Sequence, residues 1–170
     1  MQDIDKDLKV ADYGIKLRKP RDTRLYTKYI VVHHSGTPTD MDLSASSIQN
    51  MHLRNGWYGI GYHFVIRKNG TVEIGSPLES IGAHSYGHNN NTIGIHLSGN
   101  FEIARPTKKQ IESLEHLIAH LAKSYDIDIN KNVILGHQDL NHDTACPGVY
   151  LKKQLPTIRE KALEYEQKLD

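Results

Sequence analysis

One cysteine, Cys146, stands among 170 residues. No intrachain disulfide framework can staple this chain, and its stability needs no oxidising compartment. That thiol therefore has to be explained some other way. An excess of charge is missing too: 21 Lys and Arg face 20 Asp and Glu, a formal net charge of +1, which gives no general case for a nucleic-acid partner. Nor is there an apolar run able to span a bilayer, and the first ten residues, Met1 to Val10, lack the apolar core of a signal peptide. No membrane partner is expected. The chain as given is expected to be made in the cytoplasm and to work elsewhere only after release, dedicated export or loss of a leader.

What is present suits an ordinary globular protein, with 38% hydrophobic and 24% charged residues. A chain of this length is most simply one domain that removes ~70% of its unfolded surface from water. Residues 1–27 are weakly patterned and locally basic, with Lys16, Arg18, Lys19, Arg21 and Arg24 followed by Lys28. They read as a solvated arm packed on a domain of residues 28–170, or as an electrostatic contact for an anionic polymer that salt would weaken.

Strand and helix signals then alternate. Tyr29 to His34 is a β-branched run ended by Ser35-Gly36-Thr37-Pro38. A helix is expected over Leu43 to Asn55, capped by Ser44 or Ser46 and stopped at Asn55-Gly56, with His52 a half-buried helix residue. Residues 62–67 and 71–74, joined at Asn69-Gly70, carry a hairpin signal. After a polar loop over 75–91 comes a strand over Thr92 to Leu97. The capping-box pair Thr107 and Gln110 opens a long helix whose stripe is Ile111, Leu114, Ile118, Leu121 and Tyr125. His116 and His120 lie off that stripe and are expected to be solvated. Val133 to Leu135 is a short strand, Tyr150 to Leu155 a short helix, and Pro156 suits the first turn of a separate last helix. Together these predict a single α/β domain, a central mixed β-sheet flanked by helices.

The stretch Gly136-His137-Gln138-Asp139-Leu140-Asn141-His142-Asp143-Thr144-Ala145-Cys146-Pro147-Gly148 accounts for the thiol. His137 precedes Cys146 by nine positions, and His33-His34 ends the first long strand. Neighbours on a strand point to opposite faces, so only one of that pair can enter a common site. Two imidazoles and a thiolate form a plausible three-ligand shell for zinc, with a fourth position left for water, the arrangement of catalytic rather than structural zinc. Such an ion lowers the pKa of bound water to ~7 and polarises a carbonyl, which suits amide hydrolysis.

Six short motifs in order sharpen this. Val31-Val32-His33-His34-Ser35-Gly36, Gly61-Tyr62-His63-Phe64-Val65-Ile66, Gly82-Ala83-His84-Ser85, Asn91-Thr92-Ile93-Gly94-Ile95, Gly136-His137-Gln138-Asp139 and Thr144-Ala145-Cys146-Pro147-Gly148 together resemble the zinc-dependent N-acetylmuramoyl-L-alanine amidases of the type 2 family. That family includes phage T7 lysozyme and the peptidoglycan recognition proteins. The resemblance spans roughly residues 28 to 155. It implies a groove holding zinc on His33, His137 and Cys146. It also implies hydrolysis of the amide between N-acetylmuramic acid and L-alanine in peptidoglycan or muropeptides, with zinc-bound water as nucleophile. Tyr62 would aid the oxyanion or orient water, and Thr144 would be a polar neighbour where related enzymes carry lysine or threonine.

Two departures stand out against the family. The interval from His137 to Cys146 is one residue longer than in close relatives, so the loop through Asn141, His142 and Asp143 must bulge, with His142 not a ligand. His96 stands where recycling relatives carry a glutamate, and is either a catalytic candidate that faces the groove and titrates near neutrality or a packed, non-catalytic histidine. His84, Asn91, Trp57 and Arg54 are substrate-binding candidates. A monomer is expected, working on cell wall. The rival readings are a peptidoglycan-binding module without cleavage and a regulatory interaction domain with structural zinc.

Overall fold

Alternation along the apolar runs decides which face of the sheet is dry. The computed structural model describes residues 8–169, so the first seven residues of the basic arm lie outside it. The elements are β1 (Val10–Ala11), β2 (Tyr29–His34), α1 (Ala45–Arg54), β3 (Phe64–Ile66), β4 (Val72–Ile74), β5 (Thr92–Leu97), α2 (Lys108–Tyr125), β6 (Ile134–Gly136) and α3 (Val149–Gln167). The strands form one mixed sheet in the order β1-β4-β3-β5-β2-β6, in which only β3 and β4 pair antiparallel.

On one face Ile30 and Val32 of β2, Ile93, Ile95 and Leu97 of β5 and Phe64 and Ile66 of β3 pack against Leu114, Leu117, Ile118 and Leu121 of α2 and Leu151, Leu155 and Ile158 of α3. Each such fully buried side chain contributes ~1.5–3 kcal/mol. On the other face a smaller cluster joins Val65 to Ala45, Ile48 and Ile60. The period of two along β2 and β5 leaves His33, Thr92, Gly94 and His96 on this second, polar face.

Local signals place the helices. Thr107 caps α2 with both bonds of the capping box to Gln110, and Ser44 caps α1. The buried Glu73 carboxylate accepts from Ala45 N–H at 2.8 Å, fixing the start of α1 to β4. The expected break before Pro156 is absent, since α3 runs unbroken from Val149 to Gln167 with Pro156 inside it. Pro156 is exposed, so the Lys152 carbonyl that loses its helical donor can turn to water while Leu151, Leu155 and Ile158 on the other side hold the helix to the core. His116 and His120 are half-buried rather than solvated; the His116 ring stacks on Tyr165 of α3 at 3.9 Å.

Part of the basic arm is built into the fold. Val10 and Ala11 extend the sheet beside Val72 and Glu73. Arg21 donates to the carbonyls of Ile60 and Gly59 at 2.7 and 2.8 Å. Arg24, buried, donates to those of Leu78 and Ser80 at 2.6 and 2.9 Å. These two charges act as clamps on loop carbonyls that no strand partner reaches. Among the described residues no helix is long and apolar enough to cross a membrane.

Candidate metal centre and groove

The site forms where parallel strands end, the usual place for ligands on open α/β sheets. The central strand β2 delivers His33 near its carboxyl end, and β6 hands the chain directly to His137, which opens a 3-10 turn over His137–Asp139. The loop then closes on itself, with Gln138 N–H donating to the Cys146 carbonyl at 2.9 Å, and so returns Cys146 to His137. Gly148 makes this return possible. Its φ is +91°, and a Cβ there would lie 2.5 Å from the Phe101 carbonyl carbon.

The donor atoms of His33, His137 and Cys146 all lie within 4.8 Å of one another. His33 Nδ1 is 3.6 Å from Cys146 Sγ, and the His33 and His137 rings are 4.5 Å apart. His34 points away, as strand alternation requires: its Nδ1 accepts from Phe101 N–H at 3.0 Å, while its backbone N–H donates to Cys146 Sγ at 3.4 Å. His142 stays on the exposed rim, bonded to the Gln138 carbonyl at 2.9 Å, and is no part of the donor set. Of the long loop, His142 and Asp143 face solvent while Asn141 turns back inward.

Burial sets the protonation. His33 is held well below the ordinary imidazole range by desolvation and then by His84, His137, His96 and His34. His137 is lowered by desolvation, against the pull of Asn141 and Asp143. Both are neutral at pH 7, as metal ligation requires. Burial pushes the Cys146 thiol up to about 12, with the His34 N–H opposing. This thiol stays protonated unless a cation joins it, so the donor set suits a divalent ion that takes neutral imidazoles and a thiolate.

The nitrogens facing away from the donor set are occupied. His33 Nε2 lies 2.9 Å from His84 Nδ1, and His137 Nε2 lies 3.0 Å from Asn141 Oδ1. Tyr62 lies over the site, its ring 5.0 Å from that of His33. Burial raises its pKa, with a smaller contribution from Cys146, so the phenol keeps its proton and can donate.

Of the two readings for His96, the packed one describes its place. It is 1% exposed beneath the Tyr62 ring at 4.8 Å, with Nε2 on Ser35 Oγ at 3.1 Å. Desolvation, then His34 and His52, lower its pKa to about 3. It is a packed neutral imidazole and does not titrate near neutrality.

Two hollows of about 460 and 440 Å³ meet at Tyr62 and His137, which line both. One arm is aromatic, with Trp57, Tyr86 and His52 beside His84, Ser85 and Asn89. The other is polar, with Ser35, Asn100, Glu102, Thr144 and Cys146. Of the substrate-binding candidates, Trp57 and His84 line the groove. Arg54 and Asn91 do not, and the nearby Asn89 takes the expected place of Asn91, its Oδ1 accepting from His84 and Ser85 N–H at 2.9 Å each. Thr144 lines the polar arm and accepts from Cys146 N–H at 3.2 Å. His52, read from sequence as a mere helix residue, accepts from Gly61 N–H at 3.0 Å and forms a groove wall. Its i,i+5 spacing to Trp57 gave no signal, because the helix ends between them. A separate hollow of about 490 Å³ between β6 and α3 contains none of the three donors.

Residues 23–149 match the family described as Amidase_2, N-acetylmuramoyl-L-alanine amidase. An endolysin of Klebsiella phage KP32 is 34% identical over 135 residues, 76% of this chain and 86% of that protein. Among solved structures, the endolysin N-acetylmuramoyl-L-alanine amidase LysCS from Clostridium intestinale aligns with a TM-score of 0.78 and 31% identity, over 88% of this chain and 93% of that one. A mutant of Drosophila PGRP-LB in complex with tracheal cytotoxin aligns with a TM-score of 0.73 and 26% identity, over 85% and 92%.

Proposed function

The chain belongs to the N-acetylmuramoyl-L-alanine amidase family and is a hydrolase of that activity; from that premise we propose that His33, His137 and Cys146 hold zinc. The observation that carries this reading is the donor set itself. Three buried or half-buried side chains from β2, the 3-10 turn after β6 and the loop beyond it converge within 4.8 Å, two imidazoles are already neutral, and a thiol needs a cation to ionise. Bound there, zinc supplies a Lewis acid for the scissile carbonyl and a lowered pKa for water.

The chain's own residues do the rest. Tyr62, kept protonated by burial, donates a hydrogen bond toward the oxygen that gains charge. Thr144 holds the Cys146 backbone and presents a polar edge to the groove. His96 packs under the Tyr62 ring as a neutral imidazole. The two arms of the groove receive the two sides of the amide, with Tyr62 and His137 at their junction.

The substrate is peptidoglycan or a muropeptide, a reading supported by the family and by the relative solved with tracheal cytotoxin. The endolysin relatives support action on the wall after release from the cell. The test is zinc content of the purified protein together with new L-alanine amino termini on purified wall of diaminopimelate and lysine types. One equivalent of zinc, and cleavage lost on chelation and regained with zinc, is the expected result. Bound zinc with no new termini on either wall would overturn it.

A further inference from the structure

A carbonyl oxygen can only accept a hydrogen bond, and two of them in one loop terminate the two side-chain chains that lead to the metal-binding imidazoles. At the first, Asn141 Nδ2 donates to the Tyr86 carbonyl at 3.0 Å. That contact fixes which way the amide faces, because the reversed amide would set two acceptors against each other. Its Oδ1 therefore faces His137 Nε2, at 3.0 Å. An amide oxygen has no hydrogen to give, so Nε2 must carry the hydrogen and Nδ1 is left bare.

At the second, the Thr92 hydroxyl donates to the His88 carbonyl at 2.8 Å. With its hydrogen committed there, Thr92 Oγ1 accepts from His84 Nε2 at 3.1 Å. His84 Nδ1 is then an acceptor. It takes the hydrogen of His33 Nε2 at 2.9 Å, and the Ser85 hydroxyl at 3.3 Å can donate to the same atom without conflict. His33 Nδ1, 3.6 Å from Cys146 Sγ, is left bare.

We propose that Asn141, His84 and Thr92 are positioning residues that preset both ligand histidines as the Nε2–H tautomer, with the Tyr86 and His88 carbonyls dictating the choice. The proposal rests on the zinc reading above. A bare Nδ1 on each ring spares the protein a tautomer change on metal uptake, and outer partners of this kind also raise ligand basicity. The same loop carries Tyr86 and Ser85 on the groove wall, so the substrate wall and the ligand tautomers share one backbone segment.

Long-range proton–nitrogen NMR on metal-free, histidine-labelled protein at neutral pH reads the tautomers without any variant. Nε2–H signatures for both His33 and His137 are expected, and an Nδ1–H signature at either overturns the proposal. Zinc affinity by chelator competition is the second readout. Asn141→Leu and Thr92→Val should each weaken binding ~10–100-fold. Wild-type affinity in both N141L and T92V overturns this proposal and leaves the zinc reading standing. A wild-type protein that takes up no zinc overturns both.

Discussion

Replacing Gly94 with alanine should loosen the metal site from one methyl group away. Gly94 lies on the polar face of the sheet, paired with Val31. A Cβ built there would stand 2.6 Å from His84 Cδ2 and Cγ and 2.8 Å from Nδ1. The strand backbone tolerates alanine, so the perturbation is this contact alone. Ordinary contact begins at 3.4 Å, and the His84 ring must retreat by roughly 0.8 Å. A retreat of that size along the His33 bond carries its 2.9 Å length past hydrogen-bonding range, and the 3.1 Å bond to Thr92 is strained with it. Overpacking costs ~1–3 kcal/mol of stability. Losing the outer partner of His33 costs ~10–100-fold in zinc affinity. Thermal melting of the metal-free protein reads the first effect and chelator competition the second. A G94A protein that melts like wild type and binds zinc within about twofold of it would refute the reasoning.

Three further outcomes follow from the geometry. Cys146→Ser removes the thiolate while keeping a small buried side chain; zinc affinity and cleavage should fall more than the ~100-fold expected of an outer partner, with the circular-dichroism spectrum unchanged. Zinc retained at wild-type affinity would remove Cys146 from the donor set. Tyr62→Phe keeps the ring over His33 and His96 and deletes only the hydroxyl, so kcat should drop ~10²–10³-fold with KM nearly constant; a change confined to KM would make Tyr62 a binding residue. Glu115, buried beside α3, is pushed up to about 7 by desolvation, with Lys161 opposing and Glu112 and Glu164 adding to the rise. Its folded pKa exceeds the unfolded value, so its stabilising contribution is full below about pH 4.5 and is lost as pH rises through about 7. The melting advantage of Glu115→Gln over wild type should therefore grow from pH 5 to 8, and parallel melting curves would contradict it.

The family resemblance chose His33 over His34, which strand alternation had left open, and the other two donors carry local signals: His137 follows a short apolar strand and Cys146 is the one thiol. The fold class and α2, with its capping box, were legible for the same reason. Hydrogen-bond partners assembled by tertiary structure left no such trace. Asn141 looked like surplus loop, yet it spans from His137 to Tyr86. For His96 the sequence left a titrating and a packed histidine both open because it reports residue type, whereas the burial that lowers its pKa to about 3 comes from Tyr62 and Ser35 closing over it. Pro156 carried a strong local signal that the core overrode, since Leu151, Leu155 and Ile158 gain more by staying on one helix than one lost backbone bond costs. Arg21 and Arg24 read as solvated charge because nothing in a basic stretch announces which loop carbonyls will need donors.

The outer edge of β6 has one more consequence. Ile134 N–H donates to the Asn130 carbonyl at 3.0 Å, the Ile134 carbonyl takes two donors from Arg159 at 3.0 and 2.6 Å, and Gly136 N–H donates to Asp139 at 2.9 Å. At the opposite margin β1 is two residues long. An unpaired strand border is the template on which other chains add and aggregate. Here one border is too short to serve and the other has its outward groups engaged within the molecule, so the sheet offers little to a neighbouring copy when the protein is crowded at high concentration.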